Sequence, residues 1–305
     1  MTDTLIGAHN LSVDLYGQDP CPEPSLNAGT AKVLLDYSPR HAWLQSRRLN
    51  PAWEPSDNKD FDLGKAAHAV LLQGGAGVAV LDFDSYRTKE SKEARDAALT
   101  AGKLPILAEK WDRVEAMVRA ARAQLDAHEI GFPFVDGLPE QTLIWREGET
   151  WCRARLDWLP NKGNDFYDYK TTGASANPEG IARLIFGMHD LQMAFYLRGI
   201  RAVLARPAAT FRLVVQETEP PYALSVVGLT PAALALADRK MDEALGIWRQ
   251  CLTTGKWPGY PARTCWIDAP SYHETAITER QRRGEIYGMN DKEMFAAMMD
   301  WQAPK

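Results

Sequence analysis

Asp157 stands eleven residues before Asp168, and Asp168 two residues before Lys170, inside the stretch from Trp151 to Thr172. Side chains two apart on a strand share a face. Read as strands, WCRARLDW puts Trp151, Arg153, Arg155 and Asp157 on one face and Cys152, Ala154, Leu156 and Trp158 on the other, while FYDYKT groups Phe166, Asp168 and Lys170. The turn-forming PNKGND between them reads as the link of an antiparallel hairpin, so that Asp157, Asp168 and Lys170 converge. The chemistry suited to these types is metal-assisted cleavage of a phosphodiester. Mg2+ takes hard oxygen ligands, usually one or two carboxylates, and leaves its other positions to water and phosphate oxygens. A lysine beside it can orient the attacking water and offset charge building on the phosphate. The ordinary alternative for Asp168 and Lys170 is a weak solvated pair on a surface strand.

Three further segments bear on that choice. In FDLGKAAHAVLLQ, Gly64 and His68 lie four apart in a run of helix formers, on one face, and the missing side chain of the glycine leaves room beside the imidazole. In HDLQMAFYLRG, Gln192 and Tyr196 are likewise four apart. PEQTLIWRE reads as a strand opening with Glu140, whose carboxylate is a further candidate for a metal or a water. Taken singly, these are a core histidine, a polar helix edge and an exposed glutamate.

In this order, G-x-x-x-H, an isolated Glu, R-x-D, D-Y-K-T-T and Q-x-x-x-Y resemble the PD-(D/E)xK nuclease superfamily. Within it the likeness is to the RecB-like, lambda exonuclease-like branch, and above all to the exodeoxyribonuclease VIII (RecE) type of phage and prophage enzyme. It covers roughly residues 26 to 230 and includes SLNAGTAKVLLDYSPRHAW, which looks like the family's entry helix. The resemblance implies an α/β fold of mixed α+β character: a restriction-endonuclease-like core whose central mixed sheet of about five strands is flanked by helices. It implies His68, Asp157 and Asp168 as metal ligands, with the backbone carbonyl of Tyr169 as a further one. Lys170 would be the catalytic lysine, Glu140 an acidic assistant to the metal, and Gln192 and Tyr196 would line the site near the scissile phosphate. The sequence departs from the pattern where Leu156, not proline, precedes Asp157, and where Asp168 replaces the more usual glutamate.

The implied activity is that of a Mg2+-dependent (or Mn2+-dependent) exonuclease acting on ends of linear double-stranded DNA, hydrolysing it 5′ to 3′ and leaving 3′ single-stranded tails for recombination. Implied partners are a single-strand annealing protein and further copies of the chain in a homo-oligomeric ring. Two other readings stay open: an endonuclease or nickase of the same superfamily, including a relative of its iron-sulfur nucleases that lacks the cluster, and an inactive DNA-binding recombination accessory protein. The residues by themselves reach only metal-assisted phosphodiester hydrolysis.

The elements that must position these residues are legible in outline. The sequence predicts a polar N-terminal extension over residues 1–25, a nuclease domain over 26–278 and a C-terminal tail over 279–305. Within the domain it predicts a helix over about 28–50, the His68 helix, a solvated helix in TKESKEARDAALTAGK and a long amphipathic helix from Pro105 to His128. Strands follow near 140–147, 151–158 and 165–171, then the Gln192 helix, then strands in TFRLVVQET and YALSVVGL. Thr230 and Pro231 open a helix that stops at Gly255. The tail carries an amphipathic run of Met294, Phe295, Met298, Met299 and Trp301, read as a terminal helix closing the core.

The chain has 305 residues, 45% of them hydrophobic, enough for one large core. The expectation is a cytoplasmic enzyme, since no window holds eighteen consecutive apolar residues and MTDTLIGAHNLSVD lacks the basic start and apolar run of a signal peptide. Cys21, Cys152, Cys251 and Cys265 form no C-x-x-C pair, which argues against a zinc module or a secreted disulfide framework and predicts no iron-sulfur cluster. A net charge of −5 looks unfavourable for binding phosphates. Arg40, Arg47, Arg48, Arg153, Arg155, Arg198 and Arg201 nevertheless crowd around the proposed site in sequence. A basic groove on an acidic body is the expectation, with Arg153 and Arg155 as its nucleic-acid contacts and ordinary ion pairs as the alternative.

Overall fold

The computed structural model describes residues 5–54, 63–75 and 77–282. It divides into two compact units, Met1–Gly259 and Tyr260–Lys305. The first begins with β1 (Gly7–His9), α1 (Val13–Gly17), α2 (Ala28–Asp36), α3 (Pro39–Gln45) and α4 (Leu63–Gln73). It continues through β2 (Val78–Leu81), α5 (Lys89–Thr100), β3 (Leu104–Leu107) and α6 (Ala108–Asp126) to the strands β4 (Gly137–Glu147), β5 (Thr150–Pro160) and β6 (Asp165–Thr172). It ends with α7 (Ala182–Met188), α8 (Asp190–Leu204), β7 (Thr210–Glu217), β8 (Leu224–Gly228) and α9 (Pro231–Thr254). In the second unit the described element is α10 (Ser271–Arg282). The Met294 to Trp301 run lies outside the described residues.

β4 and β5 form a long antiparallel hairpin across Gly148 and Glu149, where Gly148 supplies the left-handed φ of +61° that the turn requires. β1 pairs with the outer edge of β4. The opposite edge of β5 is met by Leu26, which accepts from Arg153 N at 2.9 Å and donates to Trp151 O at 2.8 Å. β6 does not continue this hairpin. It runs parallel to β7, from Asp165 opposite Thr210 to Thr172 opposite Glu217, and β8 returns antiparallel on β7. The expected β5–β6 hairpin is therefore corrected: the chain leaves β6 through α7 and α8 and comes back as a parallel neighbour, the usual need of a parallel pair for a long crossover. The five strands β4 to β8 are present as two ladders that touch at β5 and β6.

Two other expectations change. The helix over 28–50 is two, because Pro39 forces the residue before it into extended backbone, and Ser38 sits at φ −164°, ψ 164°. The helix expected from Pro105 begins at Ala108, and Leu104–Leu107 is a strand parallel to β2. The alternating strand and the helix were indistinguishable there, since a buried run of four apolar residues fits both periods. α9 follows its signals: Thr230 Oγ1 accepts from Ala233 N, and Gly255 ends the helix at φ +66°.

One core lies between the β4–β5 hairpin, α2, α8 and α9, and contains Leu143, Trp145, Leu156, Phe195, Ile200, Met241 and Trp248. A second lies under α4 and α6 on the other side of β6 and β7, around Ala67, Leu71, Met117, Leu125, Tyr169 and Val214. Helices thus cover both faces of the strands that carry the carboxylates, as in other layered α/β folds. α8 comes very near the hairpin at Gly199, where an added Cβ would lie 2.8 Å from the Trp145 ring. Among the described residues no helix is long and apolar enough to cross a membrane.

Candidate active site

Glu140 and Asp157 face each other across the hairpin, between the paired positions Pro139 with Trp158 and Gln141 with Leu156. Like charges directly opposite on neighbouring strands repel. The chain also holds Glu140 at φ +56°, a left-handed conformation that costs a side-chain-bearing residue free energy and is typical of functional positions. His68, on α4, answers both carboxylates: its Nε2 lies 3.0 Å from Asp157 Oδ2 and its Nδ1 3.4 Å from Glu140 Oε1. With both ring nitrogens aimed at carboxylates, the doubly protonated ring is the favoured form. Burial works to lower its pKa, and Asp157 together with Glu140 carries it above the usual histidine value. Arg155 reaches the other oxygen of Glu140, Nε to Oε2 at 2.5 Å.

Asp157 links the two ladders. Its Oδ2 accepts from the backbone N–H of Tyr169 at 2.9 Å, so a side-chain carboxylate takes the place of a strand carbonyl at the β5–β6 seam. Burial acts to raise its pKa, but Lys170 and His68 hold it well below the usual carboxylate range. Asp168 fares differently. It is 0% exposed, its carboxyl is within hydrogen-bonding reach of Asp157, and its pKa is raised by burial first and by the Asp157 charge second. Lys170 forms an ion pair with Asp168 Oδ2. Burial disfavours the ammonium of Lys170, and Asp168 with Asp157 outweighs it, so its pKa is raised.

The donor set fits a divalent metal of the hard kind. Two adjacent carboxyls, Asp168 fully buried and Asp157 beside it, form a pair that a single cation could bind. Asp157 and Asp168 would hold it, with His68 or Glu140 beside them. Among the described residues no three His, Cys, Asp or Glu side chains already converge on one point. The physical reason is visible in the contacts, where His68 sits between Glu140 and Asp157 and Lys170 against Asp168, as internal cations.

Gln192 and Tyr196 come to the site from α8. The pKa of the Tyr196 phenol is raised well above its ordinary value by burial first, with Tyr16, Asp168 and Asp157 nearby adding to the rise. The Tyr169 side chain donates to Gln216 Oε1 at 2.5 Å, and Gln216 in turn donates to Met117 O at 3.0 Å. This buried relay ties β6 to α6 and fixes the strand that carries Asp168 and Lys170.

The arginines take the other reading. Arg153 is buried, paired with Asp19 at 3.2 Å and bonded to Ser25, with its guanidinium 5.2 Å over the Tyr16 ring. Arg155 is spent on Glu140 and on Leu11 O at 2.9 Å. Arg198 bridges Asp238 and Asp242, each at 2.8 Å, and Arg48 donates to the carbonyls of Asp19 and Cys21. The two guanidiniums that strand alternation put on the Asp157 face are thus engaged within the protein, by the N-terminal segment and, for Arg155, also by Glu140. Tyr16, His189 and Gln216 are the residues near the site that sequence reasoning passed over. For His189 there was a signal, its spacing of three and seven from Gln192 and Tyr196 on one helical face.

Residues 35–267 match the family described as a PDDEXK-like domain of unknown function (DUF3799). The chain belongs to this family. Among solved structures, the PDDEXK-like chain is similar to the crystal structure named "Putative exonuclease" from Eubacterium rectale, with a TM-score of 0.56 and 12% identity over 88% of this chain and 99% of that one. At that identity the likeness concerns the fold, which is the restriction-endonuclease-like one. No curated protein matches the sequence. As a PDDEXK-like protein with this site the chain is a nuclease.

Proposed function

We propose that this PDDEXK-like protein is a Mg2+-dependent or Mn2+-dependent exodeoxyribonuclease that degrades one strand of linear duplex DNA from its 5′ end and leaves 3′ tails for recombination. The observation that carries the metal-dependent hydrolysis is the fully buried carboxyl of Asp168, set beside the Asp157 carboxylate with Lys170 paired against it. When bound, the ion supplies an activated water and a Lewis acid for the phosphate oxygens. Lys170, one quarter exposed, holds its ammonium at the edge of the carboxylate pair, placed to neutralise the attacked phosphate. Tyr196, buried and with a raised pKa, offers a neutral phenol near the two carboxyls. Action at ends and the 5′ polarity rest on the resemblance to RecE-type enzymes, and the name of the E. rectale structure agrees with an exonuclease.

The test is to incubate the protein with Mg2+ and matched linear and covalently closed duplex DNA, the linear form labelled separately at 5′ and 3′ ends, beside an EDTA control. Metal-dependent loss of 5′ label with intact circles is the expected result. Loss of 3′ label first reverses the polarity, cut circles make the protein an endonuclease, and binding without cleavage in either metal makes it an accessory protein.

A further inference from the structure

β1 pairs with β4 so that His9 stands opposite Thr142, and β4 pairs with β5 so that Gln141 stands opposite Leu156. Carried two residues past the end of β1, the first register brings Leu11 level with Glu140, in the row where Glu140 faces Asp157. Arg155, two residues before Asp157 on β5, lays its guanidinium across that row. Its Nη1 donates to Leu11 O at 2.9 Å and its Nε to Glu140 Oε2 at 2.5 Å. One flat group therefore ties together the N-terminal segment, β4 and β5. The two oxygens of Glu140 are held unequally. Arg155 grips Oε2, whereas Oε1 is met at 3.4 Å by Gln73 Nε2 and at 3.4 Å by His68 Nδ1, both from α4. The other nitrogen of His68 lies 3.0 Å from Asp157 Oδ2, so the loosely held oxygen of Glu140 is the one on the side of the metal carboxylates. Glu140 also stands at φ +56°, where the regular pleat no longer dictates the direction of a side chain, and the aim of its carboxylate depends on what grips it.

We propose that Arg155 is a positioning residue of the metal site: anchored on Leu11 O, it holds one oxygen of Glu140 so that the other is presented to the divalent ion. The proposal rests on the nuclease reading above. The residue type suits the task. Guanidinium donors form a rigid planar fork, which reaches a carbonyl and a carboxylate at a fixed spacing, while a lysine ammonium is a point charge on a flexible stem. Partners that orient a metal ligand from behind typically contribute ten- to hundredfold in metal affinity or activity. The anchor belongs to a segment that precedes residue 35, where the family match begins, so the setting of this metal site reaches beyond the family-matched residues.

The experiment uses full-length protein. Mn2+ alone is titrated calorimetrically into the wild type, Arg155→Ala, Glu140→Gln and the double variant, and each protein is melted and assayed in Mg2+ on end-labelled linear duplex. Arg155→Ala is expected to weaken Mn2+ binding about ten- to hundredfold and to lower kcat with KM for DNA near the wild-type value. In the Glu140→Gln background the same change is expected to add less than about twofold, because it acts through the carboxylate already removed. Arg155→Lys, which keeps the charge and loses the fork, is expected to bind Mn2+ weakly as well, and it replaces the alanine form if that melts early. Wild-type Mn2+ affinity in Arg155→Lys, in Arg155→Ala or in Glu140→Gln overturns the proposal, as does a further tenfold loss in the double variant. A raised KM for DNA at unchanged Mn2+ affinity also overturns it, by making Arg155 a nucleic-acid contact. A wild type that neither binds Mn2+ nor cleaves overturns the nuclease reading, and the proposal with it, which separates the two failures.

Discussion

Burying a carboxyl completely beside a second carboxylate costs the folded state free energy even when one ammonium faces it. Asp168 bears that cost next to Asp157, with only Lys170 against it. Asp168→Asn removes the charge and gives the position a donor toward Asp157. The expected outcome is opposite for stability and activity: the EDTA-treated variant melts roughly 2–4 °C higher at neutral pH, and metal-dependent cleavage disappears. The pH dependence follows from linkage. The native carboxyl, its pKa raised by burial and Asp157, keeps a proton that the unfolded chain releases, so the cost grows as pH rises and the gap between variant and wild type narrows toward acid. Thermal melts at pH 5 and pH 8 check both parts. A variant that melts lower at both values would mean the Lys170 pair contributes more than burial costs.

α8 can deliver Gln192 and Tyr196 to the carboxylates because it approaches the β4–β5 hairpin at Gly199, where the Trp145 ring, buried against Phe195 at a centroid distance of 4.7 Å, takes the room of a side chain. A helical Gly→Ala change ordinarily stabilises by up to about 1 kcal/mol. Here the new methyl meets a 1%-exposed indole that cannot turn aside, so Gly199→Ala is expected to lower stability by about 1–3 kcal/mol and to reduce cleavage with the metal ligands intact. Urea titration with assays at matched folded fraction checks it, and a stabilised variant would show that α8 has slack. This helix also marks how far the sequence could be read. Its apolar face, the caps of α9 at Thr230 and Gly255, and the strands of Asp157 and Asp168 were legible because period and capping are local properties. The partners of those strands were not. The pairing of β6 with β7 depends on a crossover of some forty residues, and the left-handed Glu140 on its place opposite Asp157. The candidate residues were legible as types and order, while the partners of Arg153 and Arg155 depended on a segment more than a hundred residues away.

Across the whole molecule, residues 5–27 act as a strap over β5. Asp19 is buried with Arg153, accepts from Ser25 N at 2.8 Å, and lies under the Arg48 contacts to the same loop, while Leu11 O holds the guanidinium that also holds Glu140. The strap precedes the family-matched residues, which begin at 35, and still ends one bond network away from the metal ligands. A seam joins the ladder β1–β4–β5 to the ladder β6–β7–β8, and there the amide of Tyr169 donates to one carboxylate oxygen of Asp157. That makes a single peptide proton a gauge of whether the two halves of the enzyme are in register. In native-state hydrogen exchange, Asp157→Ala is expected to quicken deuterium uptake at Tyr169 while the β6 amides bonded to β7 keep their slow rates, and uniform acceleration along β6 would instead mean that the carboxylate holds up the strand as a whole. The residue that would grip the metal is then also the stitch between two sheets, so catalysis and cohesion share one atom.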